Sequence, residues 1–237
     1  LAISSAASDV YKRQLINTSH LLNTFDNDSE KVIPIYNAFP TSKMPIITLS
    51  ESNKITLCYW GSTSKISKNK SPAERLINVN INRLKKSNML LNQFKFNRCL
   101  IPCDGFFLWK KKNLKEKITY YFKFEKYNYM YCVGIKDLYE DYSGNKFEYY
   151  SFLTVKSSVE WNEFTKNIPL VMDHRYLDIW FDKKSTFEKI NSFLSSTKFT
   201  DFRNHTVSPY FEKNLNEKYL IEPKRSSNQY CNYSLFD

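Results

Sequence analysis

Short apolar runs separated by polar turns dominate the middle of the chain. Residues 45–49 and 55–60 have the composition of two strands joined by a polar turn. Three more apolar runs predict strands at residues 118–124, 129–135 and 147–155. Between the last two lies a Ser-Gly-Asn sequence at 143–145, which is typical of a tight turn. The pattern therefore predicts a set of antiparallel strands.

Helical patterns are fewer and shorter. Residues 15–27 carry a rough apolar face, and residues 175–195 show apolar side chains at helical spacing, whereas the tail from about Lys213 looks irregular. Only four glycines are present, which argues against an all-β chain with many tight turns. We therefore predict an α+β fold: one domain built around antiparallel β-strands with short flanking helices.

The first fourteen residues differ from the rest in composition. Three of the five alanines in the chain fall within the first seven positions, and the sequence starts with Leu1. We expect residues 1–14 to be a foreign segment, with a genuine but divergent terminus as the alternative. The expected domain then spans 15–237, with its core at 33–172 and a helical and irregular part at 173–237.

The chain is strongly basic. It has 35 lysines and arginines against 24 acidic residues, a formal net charge of +11. Such a surface attracts nucleic acid through the release of counterions from phosphates. Only seven of the basic residues are arginines, and Asn, Ile, Tyr and Phe abound, a profile that A/T-biased coding also produces. Since no apolar run approaches the length of a membrane span, we expect no membrane partner.

The cysteine pattern indicates reduced thiols and a cytoplasmic location. Five cysteines occur without a CxxC pair, at positions 58, 99, 103, 132 and 231. Cys99 and Cys103 could form half of a metal site, but the three histidines do not lie at ligand spacing. We interpret the cysteines as core residues and expect no metal and no cofactor.

Five short motifs follow one another in a definite order. They are Tyr-Asn-Ala-Phe-Pro-Thr at 36–41, Trp-Gly at 60–61, Ile-Asn-Val-Asn-Ile-Asn at 77–82, Arg-Cys-Leu-Ile-Pro-Cys-Asp-Gly-Phe-Phe-Leu-Trp at 98–109, and Asn-Ile-Pro-Leu-Val-Met at 167–172. This set resembles the SOS response-associated peptidase family, whose members are abasic-site processing proteins. The resemblance covers roughly residues 33–172. It implies a monomer that binds single-stranded or junction DNA with abasic sites and needs no small-molecule cofactor.

The resemblance also implies a covalent chemistry. In the family, an N-terminal cysteine exposed by Met removal attacks the aldehyde of the opened abasic sugar through its amine and closes a thiazolidine through its thiol. Members also have an autoproteolytic peptidase activity. The first cysteine printed here is Cys58, which is internal, so the crosslinking group is not visible. We expect residues 1–14 to stand where a Met-Cys start would be.

Two family motifs map onto the site with substitutions. The Asn-Ala-Arg-x-Glu-Thr motif falls on residues 78–83: Asn78 is retained as the residue that positions the crosslink, and the phosphate-binding Arg is Asn80. Arg83 is a nearby candidate to compensate for the lost charge. Without the family, Asn78 would be interpreted as a turn or cap residue.

Proton-transfer groups are missing at two further positions that the resemblance implies. The family's Asp-Gly-Phe-Tyr-Glu-Trp segment maps onto residues 104–109, which places Leu108 at the catalytic Glu. Its His-x-Arg-x-Pro segment maps onto 165–169, which places Thr165 at the catalytic His and Asn167 at a second phosphate-binding Arg. Leucine and threonine do not perform general acid–base catalysis at neutral pH. Lys166 remains as a positive charge beside the site.

The remaining candidate DNA contacts are Pro40 and Trp60, with lysines around them. Trp60 either stacks on a base or belongs to the core. The lysines expected to line the binding surface with Lys166 are Lys65, Lys68, Lys70, Lys85 and Lys86. Our leading hypothesis is an abasic-site processing protein. The alternatives are a DNA-binding pseudoenzyme, an interaction protein that keeps only the fold, and a thiol peptidase, for which no Cys–His pairing is visible.

Overall fold

The computed structural model describes residues 12–15, 26–27, 33–40, 42–61, 77–113, 116–125, 129–140, 143–196, 198–208 and 215–224. The predicted helix at 15–27 and the lysines at 65, 68 and 70 lie largely or wholly outside these residues. Within them, no helix is long and apolar enough to cross a membrane.

Fourteen strands and four helices make up the described part of the chain. The strands are β1 (Lys12–Leu15), β2 (Asp26–Asn27), β3 (Ile35–Ala38), β4 (Lys43–Thr48), β5 (Lys54–Trp60), β6 (Asn78–Asn80), β7 (Arg98–Cys103), β8 (Gly105–Lys111), β9 (Lys117–Phe124), β10 (Met130–Glu140), β11 (Lys146–Lys156), β12 (Asn167–Met172), β13 (Leu194–Ser196) and β14 (Phe202–Thr206). The helices are α1 (Ile81–Lys85), α2 (Asn88–Asn97), α3 (Leu177–Phe181) and α4 (Phe187–Phe193). The predicted α+β class is confirmed.

The strands form two sheets in the described residues. One has the order β14-β9-β8-β1-β3, and the other contains β2, β4–β7 and β10–β13. In the second sheet β10 pairs with β7, β7 with β4, β4 with β5, β5 with β11, and β11 again with β10. These pairings close a five-stranded ring, so the middle of this sheet is a small barrel whose strands have no open edge.

The hairpins predicted from the apolar pattern are present. β4 and β5 pair antiparallel, with Met44 opposite Cys58. β10 and β11 form a long hairpin whose turn contains Gly144 at φ +78°, a left-handed conformation that glycine adopts without a steric penalty. Two short helices occupy most of the predicted helical stretch at 175–195.

The core has two large parts that share the strands of the barrel, and a small third cluster of Phe107, Tyr121 and Val207. In β7, Cys99, Ile101 and Cys103 face an inner cluster, whereas Leu100 faces a second cluster beneath the helices. The inner cluster combines residues of both sheets, among them Phe106 and Phe152. Because both faces of β7 are buried, its sequence shows a continuous apolar run instead of an alternation.

β11 pairs with four other strands, more than any other strand of the described residues. Its first part pairs with β10 on one side and, at Tyr149 and Tyr150, with β5 on the other. Its last part pairs with β6 and β12. The backbone of β11 therefore fixes the relative positions of segments that are far apart in sequence.

The C-terminal segment 215–224 is attached to the sheet, although its conformation is irregular apart from a 3-10 turn at Lys218–Ile221. Asn216 Oδ1 accepts a hydrogen bond from the Tyr36 backbone N–H, and Asn216 Nδ2 donates to the Pro34 carbonyl. Asn37 Nδ2 donates to the Leu215 carbonyl. These bonds hold the segment against β3.

Arg98 is a buried cation that connects β7 with two helices. Its side chain is fully buried, and its three guanidinium nitrogens donate to carbonyl oxygens of Trp180 (2.6 Å), Lys95 (2.9 Å) and Asp182 (2.7 Å). These carbonyls lie at the ends of α2 and α3, where helices have no internal donors for them. Arg98 thus ties α2 and α3 to the barrel.

Candidate functional site

The segments that carry the predicted site residues meet across β11. Thr154 pairs with Asn80 of β6 on one side and with Pro169 of β12 on the other. Residues separated by 87 positions in sequence thereby come into contact: Asn80 Nδ2 donates a hydrogen bond to Asn167 Oδ1 over 3.2 Å. We call Asn80 and Asn167 the amide pair. It occupies the two positions at which the resemblance predicted a loss of arginine.

Asn80 also starts a helix. Its Oδ1 accepts a hydrogen bond from the Asn82 backbone N–H at 2.9 Å, which caps the N terminus of α1. The cap and the amide pair together fix the Asn80 side chain. Arg83 is exposed on the helix that follows, and Lys166 is exposed beside Asn167.

Asn78 lies two residues before the amide pair on the same strand. Its backbone is opposite Phe152 of β11. Its Oδ1 is buried and has no hydrogen-bond partner among the described residues. A buried carbonyl oxygen without a donor is energetically unfavourable, by about 1–3 kcal/mol. Asn78 therefore offers a hydrogen-bond acceptor to any donor that enters at the edge formed by β6 and the start of β12.

Thr165 is fixed by bonds to its own loop. Its hydroxyl donates to the Asn167 carbonyl at 2.8 Å, and its carbonyl accepts from the Ser157 hydroxyl at 2.8 Å. The residue is buried. These bonds orient the start of β12, and with it the amide of Asn167, so the role visible in the structure is positional.

Leu108 belongs to the inner core. It lies in the middle of β8, opposite Tyr120 of β9, and is fully buried in the cluster that also contains Trp60 and Ile168. On its other side β8 pairs with β1, where Lys12 is opposite Phe107. Residue 12 therefore lies opposite the residue that precedes Leu108.

Trp60 is a core residue, the second of its two interpretations. Only 1% of it is exposed, its Nε1 donates to the Ile77 carbonyl at 3.1 Å, and its ring meets Phe152 edge-on at 5.3 Å. No face of the ring is available to a base. Gly61 follows at φ +68°, and a Cβ there would lie 2.5 Å from the Ile77 side chain. The sequence did not indicate a further role of these residues. Through their contacts with Ile77, Trp60 and Gly61 fix the start of β6.

Pro40 and Lys85 are two other predicted contacts. Pro40 is partly exposed in the turn between β3 and β4. The Lys85 ammonium lies over the ring of Phe187, 5.9 Å from its centroid, on the side where α1 faces α4. Lys85 is therefore assigned to that helix contact and not to the amide pair.

The charge around the amide pair is positive. No acidic residue occurs between positions 77 and 103. Near the start of β12, Glu163 forms an ion pair with Lys110 of β8, and this contact raises the pKa of Lys110. Because the Glu163 carboxylate is already paired with a cation, it repels an approaching anion less than an unpaired carboxylate would.

The described cysteines do not form a nucleophilic site. Cys58, Cys99, Cys103 and Cys132 are all buried. Burial, together with the nearby Glu148 carboxylate, raises the pKa of the Cys58 thiol to about 12. Since the thiolate is the nucleophile, a thiol peptidase acting through these residues is disfavoured. No group of three or more potential metal ligands occurs within the described residues.

Comparison with known proteins supports one family. The abasic site processing protein YobE of Bacillus subtilis is 23% identical over 154 residues, covering 65% of this chain and 70% of YobE. The abasic site processing protein HMCES of Xenopus tropicalis is 25% identical over 182 residues, covering 64% of this chain and 54% of HMCES.

Solved structures agree in fold. A protein from Bacteroides thetaiotaomicron superposes with a TM-score of 0.75 at 16% identity, covering 91% of this chain and 99% of that protein. A protein from Bordetella bronchiseptica gives a TM-score of 0.65 at 12% identity, covering 84% and 99% of the two chains. The sequence profile of the SOS response associated peptidase (SRAP) family matches residues 5–214. The chain therefore belongs to the SRAP family.

Proposed function

We propose that this chain is an abasic-site processing protein that binds single-stranded DNA at the edge formed by β6 and the start of β12. The observation that carries the proposal is the amide pair beside Asn78, whose buried Oδ1 lacks a donor among the described residues. The names of the relatives point to the same substrate, DNA with abasic sites.

The chemistry of this edge suits a phosphodiester strand. Amide N–H groups donate to phosphate and sugar oxygens, and such contacts position a strand without reading its sequence. Arg83, three residues after Asn80, and Lys166, next to Asn167, are exposed cations, and the segment 77–103 supplies no opposing carboxylate. Asn78 Oδ1 suits a donor on the opened sugar, such as a hydroxyl group.

Binding is tested by charge substitution at the amide pair. Asn167→Asp places a carboxylate where we expect a phosphate, and we expect it to weaken binding of abasic single-stranded DNA about tenfold at low salt. Asn204→Asp is the matched control because Asn204 is an exposed residue of β14 in the other sheet. Fluorescence anisotropy over a salt series measures both. Equal affinities for the two variants, or no loss of affinity with salt for the parent protein, would contradict the proposal.

A second candidate function is favoured by Leu108 and Thr165. A leucine in the core and a threonine bound within its own loop leave both family positions without an acid or base. The chain would then hold abasic DNA non-covalently and shield it, as a pseudoenzyme. In the covalent alternative, amine and aldehyde lose water to form an imine, and the thiol adds to its carbon to close the thiazolidine.

The two candidates are separated by a variant that starts at residue 12 with Lys12→Cys, which exposes a 1,2-aminothiol next to Phe107. We expect slow formation of a heat-stable adduct with abasic single-stranded DNA on a denaturing gel. Adding Leu108→Glu and Thr165→His to this variant should speed the reaction by about two orders of magnitude, the size of an acid–base contribution. If the Cys variant already reacts as fast as the triple variant, the pseudoenzyme candidate is wrong.

A further inference from the structure

A cavity lies between the first two helices and α4. Its volume is about 310 Å³, and it is lined by Lys85 of α1, Leu91 of α2, and Phe187, Glu188 and Asn191 of α4. This is near the lower end of the sizes of ligand sites, and it suits one large apolar side chain better than a whole cofactor.

The cavity is apolar inside and cationic at its rim. Leu91 and Phe187 are partly exposed apolar residues, and the Lys85 ammonium lies over the Phe187 ring. A lysine in this position covers the aromatic ring in the absence of a ligand and can turn to a carboxylate when one arrives. Glu188 is the one acid among the lining residues.

The helices that form one wall of the cavity carry positive charge only. The segment 81–98 contains no aspartate or glutamate. Its exposed cations are Arg83, Lys85, Lys86 and Lys95. A surface with an apolar hole and surrounding lysines is complementary to a segment with an apolar anchor and surrounding acids.

We propose that this cavity is a docking site for an acidic segment of a partner protein, which inserts one large apolar side chain between α2 and α4 and places its carboxylates against Lys85 and its neighbours. Single-stranded DNA is the less suitable occupant. Successive bases of a strand stack on several aromatic side chains, whereas the lining of this cavity includes one aromatic ring, that of Phe187. The proposal does not depend on the proposed function, since none of the cavity residues belongs to the amide pair.

The test uses a fluorescein-labelled peptide of Asp and Glu residues around one Phe, with a second peptide in which Ala replaces that Phe. Asn191→Trp fills the cavity and should weaken binding of the Phe peptide roughly tenfold, a loss of about 1.4 kcal/mol. Asn92→Trp adds the same side chain at an exposed position of α2 and should leave the affinity within about twofold. Lys85→Glu should also weaken binding, and Lys146→Glu, in the β10–β11 hairpin, should not.

The outcomes are separable. If both peptides bind equally well, or if Asn191→Trp binds the Phe peptide as tightly as the parent protein, the cavity is not the docking site. If single-stranded DNA displaces the peptide and Lys85→Glu weakens DNA binding as much as Asn167→Asp does, the surface binds nucleic acid and the proposal is wrong. Thermal unfolding of each variant verifies that it is folded before its affinity is compared.

Discussion

The Leu108 side chain determines whether β8 can supply an acid or a base at this position. Its neighbours in the core cluster are apolar residues of both sheets, so a carboxylate at this position would lose its hydration. The resemblance to the family motif predicted a glutamate position here, and a leucine side chain supplies neither an acid nor a base. Thr165 matches this picture, because its hydroxyl is used within its own loop.

At this scale we predict that Leu108→Glu alone lowers the free energy of unfolding by about 3 kcal/mol at neutral pH, because an unpaired charge is buried. Burial should raise the pKa of the new carboxyl above its unfolded value of about 4.3, so the neutral form is tolerated in acid and the penalty grows as the pH rises through this window. Urea unfolding at acidic and neutral pH measures the effect. Leu108→Met should cost less than about 1.5 kcal/mol at either pH, and a pH-independent loss for the glutamate would contradict the argument.

The helices α2 and α3 are joined to the barrel by hydrogen bonds from a single guanidinium. Arg98 faces three carbonyl groups and no carboxylate side chain in direct contact within the described residues. The planar fork of arginine can serve three acceptors at once, whereas the ammonium of lysine on its flexible stem cannot reproduce that geometry.

For this connection between elements we predict that Arg98→Met destabilises the fold by about 3 kcal/mol, because three buried carbonyls lose charged donors. Arg98→Lys should recover only part of the loss. The matched control is Lys95→Met, which removes an exposed cation from the same region and should change stability by less than about 0.5 kcal/mol. Chemical denaturation provides the values, and an Arg98→Met variant as stable as the Lys95→Met control would show that the three bonds contribute little.

At the scale of the whole molecule, local patterns predicted the elements, whereas the site that the family motifs imply stays a prediction. The hairpins, the α+β class and the helical stretch near 175–195 followed from apolar spacing. The closed barrel did not, because ring closure depends on the pairing of β7 with β10 and of β5 with β11, which join strands that are distant in sequence. The core position of Trp60 was one of two interpretations of the sequence, but its hydrogen bond to the Ile77 carbonyl was hidden, because Ile77 lies seventeen residues further along the chain.

The position of β11 has a consequence for how this protein can change over time. The site edge is held by backbone hydrogen bonds from one strand to β5, β6, β10 and β12, and such bonds do not depend on which side chains the strands carry. Side chains at this edge can therefore be substituted without disrupting the strand pairings that hold it. A chain of this architecture can lose a catalytic side chain and keep its fold. A few substitutions can restore that side chain, because backbone hydrogen bonds set the geometry of the edge.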